Sequence, residues 1–400
     1  MIRPSLDMAA PKVLDFEALL KQVHEIGREV LAVHADEVDR DARFPHESIS
    51  ALSRAQLLSA YVPSEYGGMG LDIVQVSRIC EALGHYCGSS AMIYAMHSIQ
   101  VACVVHHAQQ SHYFRDYLRE LVREQRLMAS ATTEIGTGGD LTSSVCAAEV
   151  QGQQFTVTKK APVISYGEAA DDILVTCRRS PDAPANEQIH VLVRKGEYSA
   201  VPLSNWDTLG FRGTCSSGFT LTAQGDVDQI LPTPFADILA QTMHPYSHIV
   251  WGALWSGIAG NAVDRAQSFV RAEARKTPGE TPISAVRLAE VDQILQEMQH
   301  NVQGLAIEYR NLLQSDRMES HGGFGFAIRT NNLKLSSSQR IVEIVGRSLL
   351  ICGISGYRND SKFSLSRHLR DSYGAALMVN NDRIAKVNAT MLLAHRKGNG

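Results

Sequence analysis

The feature that most constrains the fold is a long apolar segment in the last third of the chain, from about His244 to Lys276. It reads HPYSHIVWGALWSGIAGNAVDRAQSFVRAEARK. Its apolar residues recur every three to four positions, which is the spacing of one buried face of an α-helix. Pro245 suits the start of a helix, and Pro278-Gly279 is a stop signal. The segment is typical of the core helix of an α-helical bundle.

The periodicity changes twice along the chain. Residues 15–124 carry helical patterns, short β-branched runs alternate with turns from about Leu127 to Thr233, and helical patterns return from Phe235 onward. Gln151-Gly152 is typical of a hairpin turn. Strands without helices between them predict a small antiparallel sheet or barrel, and they exclude a βαβ dinucleotide-binding fold.

We therefore predict an α+β protein with three domains. Residues 1–126 form an N-terminal helical domain, 127–236 a central β-barrel-like domain, and 237–400 a C-terminal four-helix bundle. A length of 400 residues is enough for two or three such units, and a composition with 44% hydrophobic and 20% charged residues is that of an ordinary globular protein.

Composition also bears on the ligands that the protein binds and on its cellular compartment. The net charge of −4, with both signs mixed along the chain, gives no footprint for nucleic acid. We find no apolar run of the roughly 18–20 residues that span a bilayer and no signal peptide. Seven cysteines without CxxC pairs favour reduced thiols, and His106-His107 lack partners at metal-ligand spacing. We expect a cytoplasmic protein that binds neither nucleic acid, membrane nor metal.

The first candidate site is the glycine-rich stretch ATTEIGTGGD, residues 131–140. The hydroxyls of Thr132 and Thr133 precede Gly138 and Gly139. Backbone N–H groups in such a turn can hold a phosphate or the carbonyl groups of a flavin ring. Many turns of this composition only reverse the chain, so a plain turn is the alternative.

This stretch resembles the T-E-P-x-A-G-S-D segment of the acyl-CoA dehydrogenase superfamily, and six further segments resemble that superfamily in the same order. They read PSEYGGMG, MIYAMHS, KKAPVISYGEAA, LGFRGTCSSGF, AEARKTPGE and CGISGY. The likeness runs from about residue 15 to 395. It implies a homotetramer or homodimer that binds FAD where the β domain meets the two helical domains, with a partner subunit completing the site.

The resemblance implies particular cofactor contacts. Thr133, beside Thr132, matches a threonine that contacts the flavin ring, and Ser165 matches a second one. Arg275 and Thr277 match residues that bind the FAD pyrophosphate of a neighbouring subunit, which suits a bidentate guanidinium. The alternative for Arg275 is a cation at a helix C-terminus. The remaining candidate contacts are Gly138, Val163 in place of a tryptophan, Gly353 and Gly356 near the partner's cofactor, and Asn381.

The chain departs from the superfamily at the catalytic base. Most members remove the α-proton of a thioester with a glutamate near the C-terminus, and alignment on Arg370-Asp371 places Val379 there. A minority carry the glutamate on the long helix, where this chain has Ser247. Neither side chain can remove a carbon-bound proton, but Ser247 is kept among the catalytic candidates, with His248 and His97.

Histidines are the available substitutes, because imidazole is a base near neutral pH. The candidates are His248, His244 one turn earlier, and His97, for which a structural role is the alternative. Gly139 replaces a serine that helps to hold the CoA pyrophosphate. The candidate substrate contacts are Gly139, His244, Val379 and Asn380.

Three functions remain open. The first is an oxygen-using flavoenzyme, a mono- or dioxygenase, that acts on an aromatic or polyketide-like acid or on its CoA or carrier-protein thioester. The second is an FAD-dependent acyl-CoA or acyl-carrier-protein dehydrogenase whose base is displaced to His248. The third is a catalytically inactive scaffold paralogue. A flavin reductase or an electron-transfer protein is the expected redox partner.

Overall fold

The computed structural model describes residues 14–276, 278–315 and 323–394 and has the predicted helix–strand–helix order. Six helices come first. They are α1 (Phe16–Ile26), α2 (Ala32–Arg40), α3 (His46–Arg54), α4 (Ile73–Tyr86), α5 (Gly88–His107) and α6 (His112–Glu124). Seven more follow the strands. They are α7 (Phe235–Ile238), α8 (His244–Ala274), α9 (Ile283–Leu313), α10 (Phe324–Cys352), α11 (Ile354–Tyr357), α12 (Ser366–Leu377) and α13 (Asn381–Ala394).

The strands lie between these two helical regions and form two sheets. They are β1 (Met128–Ala131), β2 (Ala148–Gln151), β3 (Gln154–Ala161), β4 (Asp172–Arg178), β5 (Gln188–Arg194), β6 (Tyr198–Ser204) and β7 (Gly218–Asp226). One sheet has the order β1-β4-β5 and the other β2-β3-β7-β6. The predicted hairpin at Gln151-Gly152 is confirmed, since β2 pairs with β3 there. The domain boundaries at 126 and 236 remain a prediction.

One pairing differs from the antiparallel arrangement that the sequence predicts. β1 runs parallel to β4, with Met128 opposite Asp172. Parallel neighbours need a long crossover connection, and here the β2–β3 hairpin lies within the chain that joins the two strands. Periodicity alone does not distinguish the two directions.

Helix α5 corrects the expectation that no segment is long and apolar enough to cross a membrane. It is the one helix within the described ranges that passes this test of length and composition, and 94% of its apolar window is buried. It packs against α4, α8 and β1. This burial is that of a core helix.

The long helix α8 begins differently from the prediction. The helical run starts at Phe235 and passes through a π-helical turn, Leu239–Met243, so Pro245 lies inside it. Proline lacks an N–H and its ring clashes with the carbonyl four residues earlier in an α-helix. The wider π turn removes this conflict, and the freed carbonyl of Gln241 accepts a 2.9 Å hydrogen bond from the hydroxyl of Tyr309.

Helices α4 and α8 touch backbone to backbone at two glycines. A methyl group added at Gly84 would lie 2.3 Å from the backbone oxygen of Leu254, and one added at Gly257 would lie 2.0 Å from that of Glu81. Neither position has room for a side chain. We call this contact the α4–α8 seam, and it fixes the position of α8 in the molecule.

Candidate functional site

Three of the predicted flavin-ring contacts lie together at one edge of the β domain. The hydroxyl of Thr133 donates to the backbone oxygen of Val163 at 3.4 Å. Ser165 follows two residues later, and its Oγ accepts a 2.8 Å hydrogen bond from Ser216. The fold therefore brings positions that are about 30 residues apart into one wall, with two hydroxyls on either side of a half-buried aliphatic side chain.

The glycine-rich turn that follows β1 needs its glycines. Gly138 and Gly139 have φ angles of 61° and 80°, in the left-handed region. The guanidinium of Arg383, on α13, donates to the backbone oxygens of both residues. A methyl group added at Gly139 would lie 2.7 Å from that guanidinium. Arg383 thus occupies the space beside Gly139. The hydroxyl of Thr132 forms a 2.7 Å hydrogen bond with the hydroxyl of Ser130.

Two histidines meet near the start of α8. The rings of His244 and His248 lie edge to face with centroids 4.4 Å apart. Nε2 of His244 is 2.7 Å from Oδ1 of Asn331, and Nδ1 of His248 is 3.3 Å from the backbone oxygen of Thr330. Because both partners are acceptors, these two nitrogens carry the protons, which leaves Nε2 of His248 as an unprotonated nitrogen.

The surroundings of His248 keep it neutral. Burial holds its pKa well below the ordinary value of 6.5, and the nearby His244 and Lys334 lower it further. Ser247, the adjacent candidate, is buried and its hydroxyl donates to the backbone oxygen of His244 at 2.9 Å. Its hydroxyl is therefore directed back to its own helix, and its catalytic role remains a prediction.

His97 has both of its ring nitrogens engaged in hydrogen bonds, and its catalytic role remains a prediction. Nε2 lies 2.6 Å from the backbone oxygen of Leu58, and Nδ1 accepts a 3.0 Å hydrogen bond from the amide of Met128. The side chain is fully buried, and burial lowers its pKa to about 4. A histidine in this setting has no nitrogen left for proton transfer and joins α5 to β1.

The turn between α12 and α13 carries three more of the predicted residues. Val379 has a φ angle of 52°, which is a rare conformation for a β-branched residue. Asn380 is exposed, and its Oδ1 accepts from the amides of Asp382 and Arg383 at 2.9 and 3.2 Å. Asn380 therefore caps α13, and its role as a substrate contact remains a prediction.

Asn381 is bonded within the protein rather than open to a cofactor. Its Oδ1 accepts from Lys334 at 2.6 Å and from Ser338 at 3.3 Å, and its Nδ2 donates to Ser338 at 3.0 Å. A contact between Asn381 and the flavin side chain remains a prediction. Lys334 is the residue that sequence reasoning missed, since its fully buried amine also donates to the backbone oxygen of Val379 at 2.6 Å.

A basic groove of ≈ 550 Å³ lies at the other end of α8, between that helix and the segment before α12. It is lined by Asn261, Asp264, Arg265, Ser268, Arg271, Ala272, Arg275, Lys362 and Phe363. Four cations against one carboxylate suit a phosphate group. The guanidinium of Arg275 forms no ion pair or side-chain hydrogen bond with any described residue. Thr277 lies outside the described residues.

The two ends of α8 are far apart. Ser247 and Arg275 are separated by 28 residues, which places their backbones roughly 42 Å from each other at about 1.5 Å per residue. Arg383 joins the glycine-rich turn to α13, and the first residue of α13, Asn381, is bonded to α10, which also holds the histidine pair. The glycine-rich turn is therefore connected to the start of α8, and the basic groove lies at its end.

Gly353 and Gly356 lie between α10 and α12. Gly353 has φ 56° and ψ −138°, a conformation that is essentially restricted to glycine, and a methyl group there would meet no atom within 4 Å. Three exposed apolar side chains surround these glycines: Leu350, Ile354 and Tyr357 are 73%, 72% and 72% exposed. We call these three the α10–α11 apolar patch.

Comparison with known proteins agrees with this fold. Residues 15–125 match the family described as acyl-CoA dehydrogenase, N-terminal domain. Cyclohex-1-ene-1-carbonyl-CoA dehydrogenase of Geobacter metallireducens is 24% identical over 375 residues, which cover 92% of this chain and 95% of that protein. A probable acyl-CoA dehydrogenase of Mycobacterium bovis, fadE25, is 24% identical over 378 residues, which cover 93% of this chain and 94% of that protein.

Solved structures share the architecture. FMN-bound TdsC from Paenibacillus sp. A11-2, a dibenzothiophene monooxygenase, superimposes with a TM-score of 0.84 at 19% identity, covering 95% of this chain and 98% of that chain. Glutaryl-coenzyme A dehydrogenase with glutaryl-CoA gives 0.81 at 17% identity, covering 99% and 98%. The relatives are flavin oxidoreductases, and together these findings support an oxidoreductase. The family match and these relatives support a place for the chain in the acyl-CoA dehydrogenase superfamily.

Proposed function

We propose that the protein is an oxygen-using flavin oxidoreductase that acts on an aromatic or polyketide-like acid, free or as its CoA or carrier-protein thioester. One observation carries the proposal: both positions where the superfamily places its base hold side chains that cannot accept a proton from carbon. Val379 is aliphatic, and the hydroxyl of Ser247 is bonded to its own helix. A reaction that starts by removing the α-proton of a thioester needs a positioned base.

The neighbouring histidine does not replace a glutamate. Burial raises the pKa of a carboxyl group and so makes a carboxylate a stronger base, whereas it lowers the pKa of an imidazole and makes it a weaker one. The pKa of His248 is held well below 6.5 for this reason. A neutral, weakly basic pocket favours a reaction in which O2 is the oxidant over one that begins with proton abstraction.

The residues present fit a flavin. The hydroxyls of Thr133 and Ser165 lie on the wall where the isoalloxazine ring would pack, and the cations of the basic groove, Arg275 among them, would hold its phosphates. When bound, the flavin supplies the electrons that reduce O2. We propose FAD, because the groove carries four cations, enough for two adjacent phosphates.

The spacing of these two parts bears on the assembly. Arg275 lies roughly 42 Å along α8 from Ser247. The superfamily resemblance assigns Arg275 to the pyrophosphate of a neighbouring subunit, and we propose on that basis that one flavin takes its ring contacts from one chain and its phosphate contacts from another. We propose a homodimer or homotetramer that uses the α10–α11 apolar patch. A cytoplasmic location and a separate flavin reductase or electron-transfer protein complete the proposal.

The test is the reaction of the reduced flavin with oxygen. The purified protein is loaded with FAD or with FMN, reduced anaerobically and mixed with oxygenated buffer in a stopped-flow instrument, with indole as an aromatic probe. We expect an absorbance transient that depends on oxygen and a decay rate that changes with indole. Slow reoxidation without a transient would contradict the proposal.

The second candidate is an acyl-thioester dehydrogenase. The observation that favours it is the unprotonated Nε2 of His248. It is supported if a trans-enoyl product forms anaerobically with an artificial electron acceptor. Failure to take up either flavin would instead support the inactive scaffold.

A further inference from the structure

We propose that Lys334 is a positioning residue, which holds the turn between α12 and α13 and so keeps Val379 in its left-handed conformation. Its consequence for catalysis rests on the proposed function, but the conformational part does not.

The turn is in a conformation that its own sequence does not favour. At a φ angle of 52° the branched side chain of Val379 crowds its own backbone, and glycine is the residue that adopts this region freely. Met378 before it is extended, with ψ 103°, and Asn380 after it caps α13. Backbone in such a state persists only where surrounding contacts impose it.

Lys334 supplies those contacts from α10. Its amine donates to the backbone oxygen of Val379 and to Oδ1 of Asn381, both at 2.6 Å, and thus spans the turn on either side of Asn380. One helical turn further along α10, Ser338 exchanges hydrogen bonds with the side-chain amide of Asn381 at 3.0 and 3.3 Å. Two residues of α10 therefore hold three atoms of the turn: the backbone oxygen of Val379 and the Oδ1 and Nδ2 atoms of Asn381.

The choice of lysine supports this role. Its side chain is 0% exposed, and no carboxylate of the described ranges lies within ion-pair distance of its amine. Burying an unpaired amine is costly, and methionine would fill a similar space without that cost. Burial lowers the pKa of Lys334 to about 8. What the amine gains in return is the pair of hydrogen bonds to the turn.

This arrangement acts on the backbone of residue 379, not on its side chain. Val379 occupies the position where alignment on Arg370-Asp371 places the superfamily's glutamate. Because the amine of Lys334 bonds the backbone carbonyl group of residue 379, it keeps the shape of the turn whatever the side chain at that position. The shape of the turn is in this way maintained in a chain that has valine, not a carboxylate, at this position.

The experiment is a double-mutant cycle of the full chain with K334M, V379G and K334M/V379G. We measure the apparent melting temperature without flavin and the visible circular dichroism of bound FAD. Because glycine adopts a positive φ without strain, the turn in the V379G background keeps its conformation without the amine of Lys334. We expect K334M to lower the melting temperature by roughly 3 °C or more in the V379G background, where the hydrogen bonds are lost and no strain is released. In the wild-type background we expect less than half of that loss, because the turn relaxes and the strain at Val379 is released when the amine is removed. The circular dichroism should change in K334M and return towards that of the wild type in the double variant.

Equal losses in both backgrounds would overturn the proposal, since the amine would then act independently of the turn. If K334M does not fold, K334Q, which retains an N–H donor, takes its place in the same cycle. The melting-temperature measurement uses no flavin and no substrate. Its outcome is therefore independent of whether the proposed oxygen chemistry is correct.

Discussion

The backbone amide of Met128 donates a 3.0 Å hydrogen bond to Nδ1 of His97, whose Nε2 lies 2.6 Å from the backbone oxygen of Leu58. One imidazole therefore connects three segments: the first strand, helix α5 and the short turn before α4. Histidine suits this place because it is the side chain that offers one donor and one acceptor on opposite edges of a ring.

We expect His97→Leu to destabilise the fold by about 2–4 kcal/mol, because it leaves the Met128 amide and the Leu58 carbonyl group buried without partners. Chemical denaturation measures the loss. His300→Ala, at an exposed position of α9, is the control and should stay within about 0.5 kcal/mol of the wild type. Unchanged stability together with lost turnover would instead support the predicted catalytic role of His97.

Stability should fall as the solution becomes acidic. Burial lowers the pKa of His97 and His107 to about 4 and that of His190 to about 3. Between pH 6.5 and about 4 these three histidines bind protons in the unfolded chain but remain unprotonated in the folded state. Folding stability is then lost at up to about 1.4 kcal/mol per pH unit for each histidine, and it is independent of them above pH 6.5.

Asp371 acts in the opposite direction, because burial raises its pKa to about 6 and the folded state then binds a proton first. Burial also raises the pKa of Glu81, and these two groups do not offset the three histidines. Melting temperatures at pH 8, 7, 6 and 5 test the sign, and His190→Phe should flatten the acid slope, since neither ring nitrogen of His190 has a partner among the described residues. A melting temperature that rises on acidification would contradict this account.

Arg275 should contribute to flavin binding through the phosphates. We expect Arg275→Gln to weaken FAD by about tenfold or more, the range of a lost charge-assisted hydrogen bond, and to leave riboflavin, which has no phosphate, unaffected. Fluorescence titrations measure both ligands. Lys276→Gln is the matched control, because Lys276 is the next residue and is already paired with Glu273 at 2.7 Å. Equal effects on riboflavin and FAD would argue against a phosphate contact.

The α10–α11 apolar patch should be a contact between subunits. Leu350→Asp places a charge among side chains that are about three-quarters exposed in the single chain, and burial of that charge would be unfavourable. We expect a smaller particle by light scattering and a lower flavin content. Val201→Asp, at a 60% exposed position on β6, should change neither quantity. A patch variant of unchanged mass would place the interface elsewhere.

His248 separates the two reactions. His248→Asn keeps a donor near the carbonyl group of Thr330 but removes the free ring nitrogen. If O2 is the oxidant, we expect the oxygen-dependent transient to survive with a rate within about tenfold of the wild type, which is less than the loss of a general base causes. Loss of all turnover, together with enoyl formation by the wild type, would favour the dehydrogenase.

The order of elements could be predicted because hydrophobic periodicity is local. The start of α8 could not, because the π turn before Pro245 depends on Tyr309, a partner 68 residues away from Gln241 in the sequence. Asn380 did carry a signal, since asparagine just before a helical pattern is a common N-cap. That local signal was outweighed by the resemblance to a ligand-binding segment.

Lys334 shows why part of the site could not be predicted. The buried face of α10 contains Thr330, Asn331, Lys334, Ser337 and Ser338 at helical spacing. Polar residues with this periodicity are typical of a solvent-facing side. Only the tertiary structure shows that this stripe faces inward and meets the histidines of α8 and the turn after α12.

The α4–α8 seam has a consequence for how this protein responds to amino-acid exchange. A side chain at Gly84 or Gly257 would have to displace α8, and a packed helix of 31 residues moves as a rod. Such a shift would disturb the histidine pair at one end and the basic groove at the other in a single step. In a survey of variants scored by activity, substitutions of these two glycines would then be as harmful as substitutions of ligand-binding residues. A separate measurement of folding would distinguish the two groups of positions.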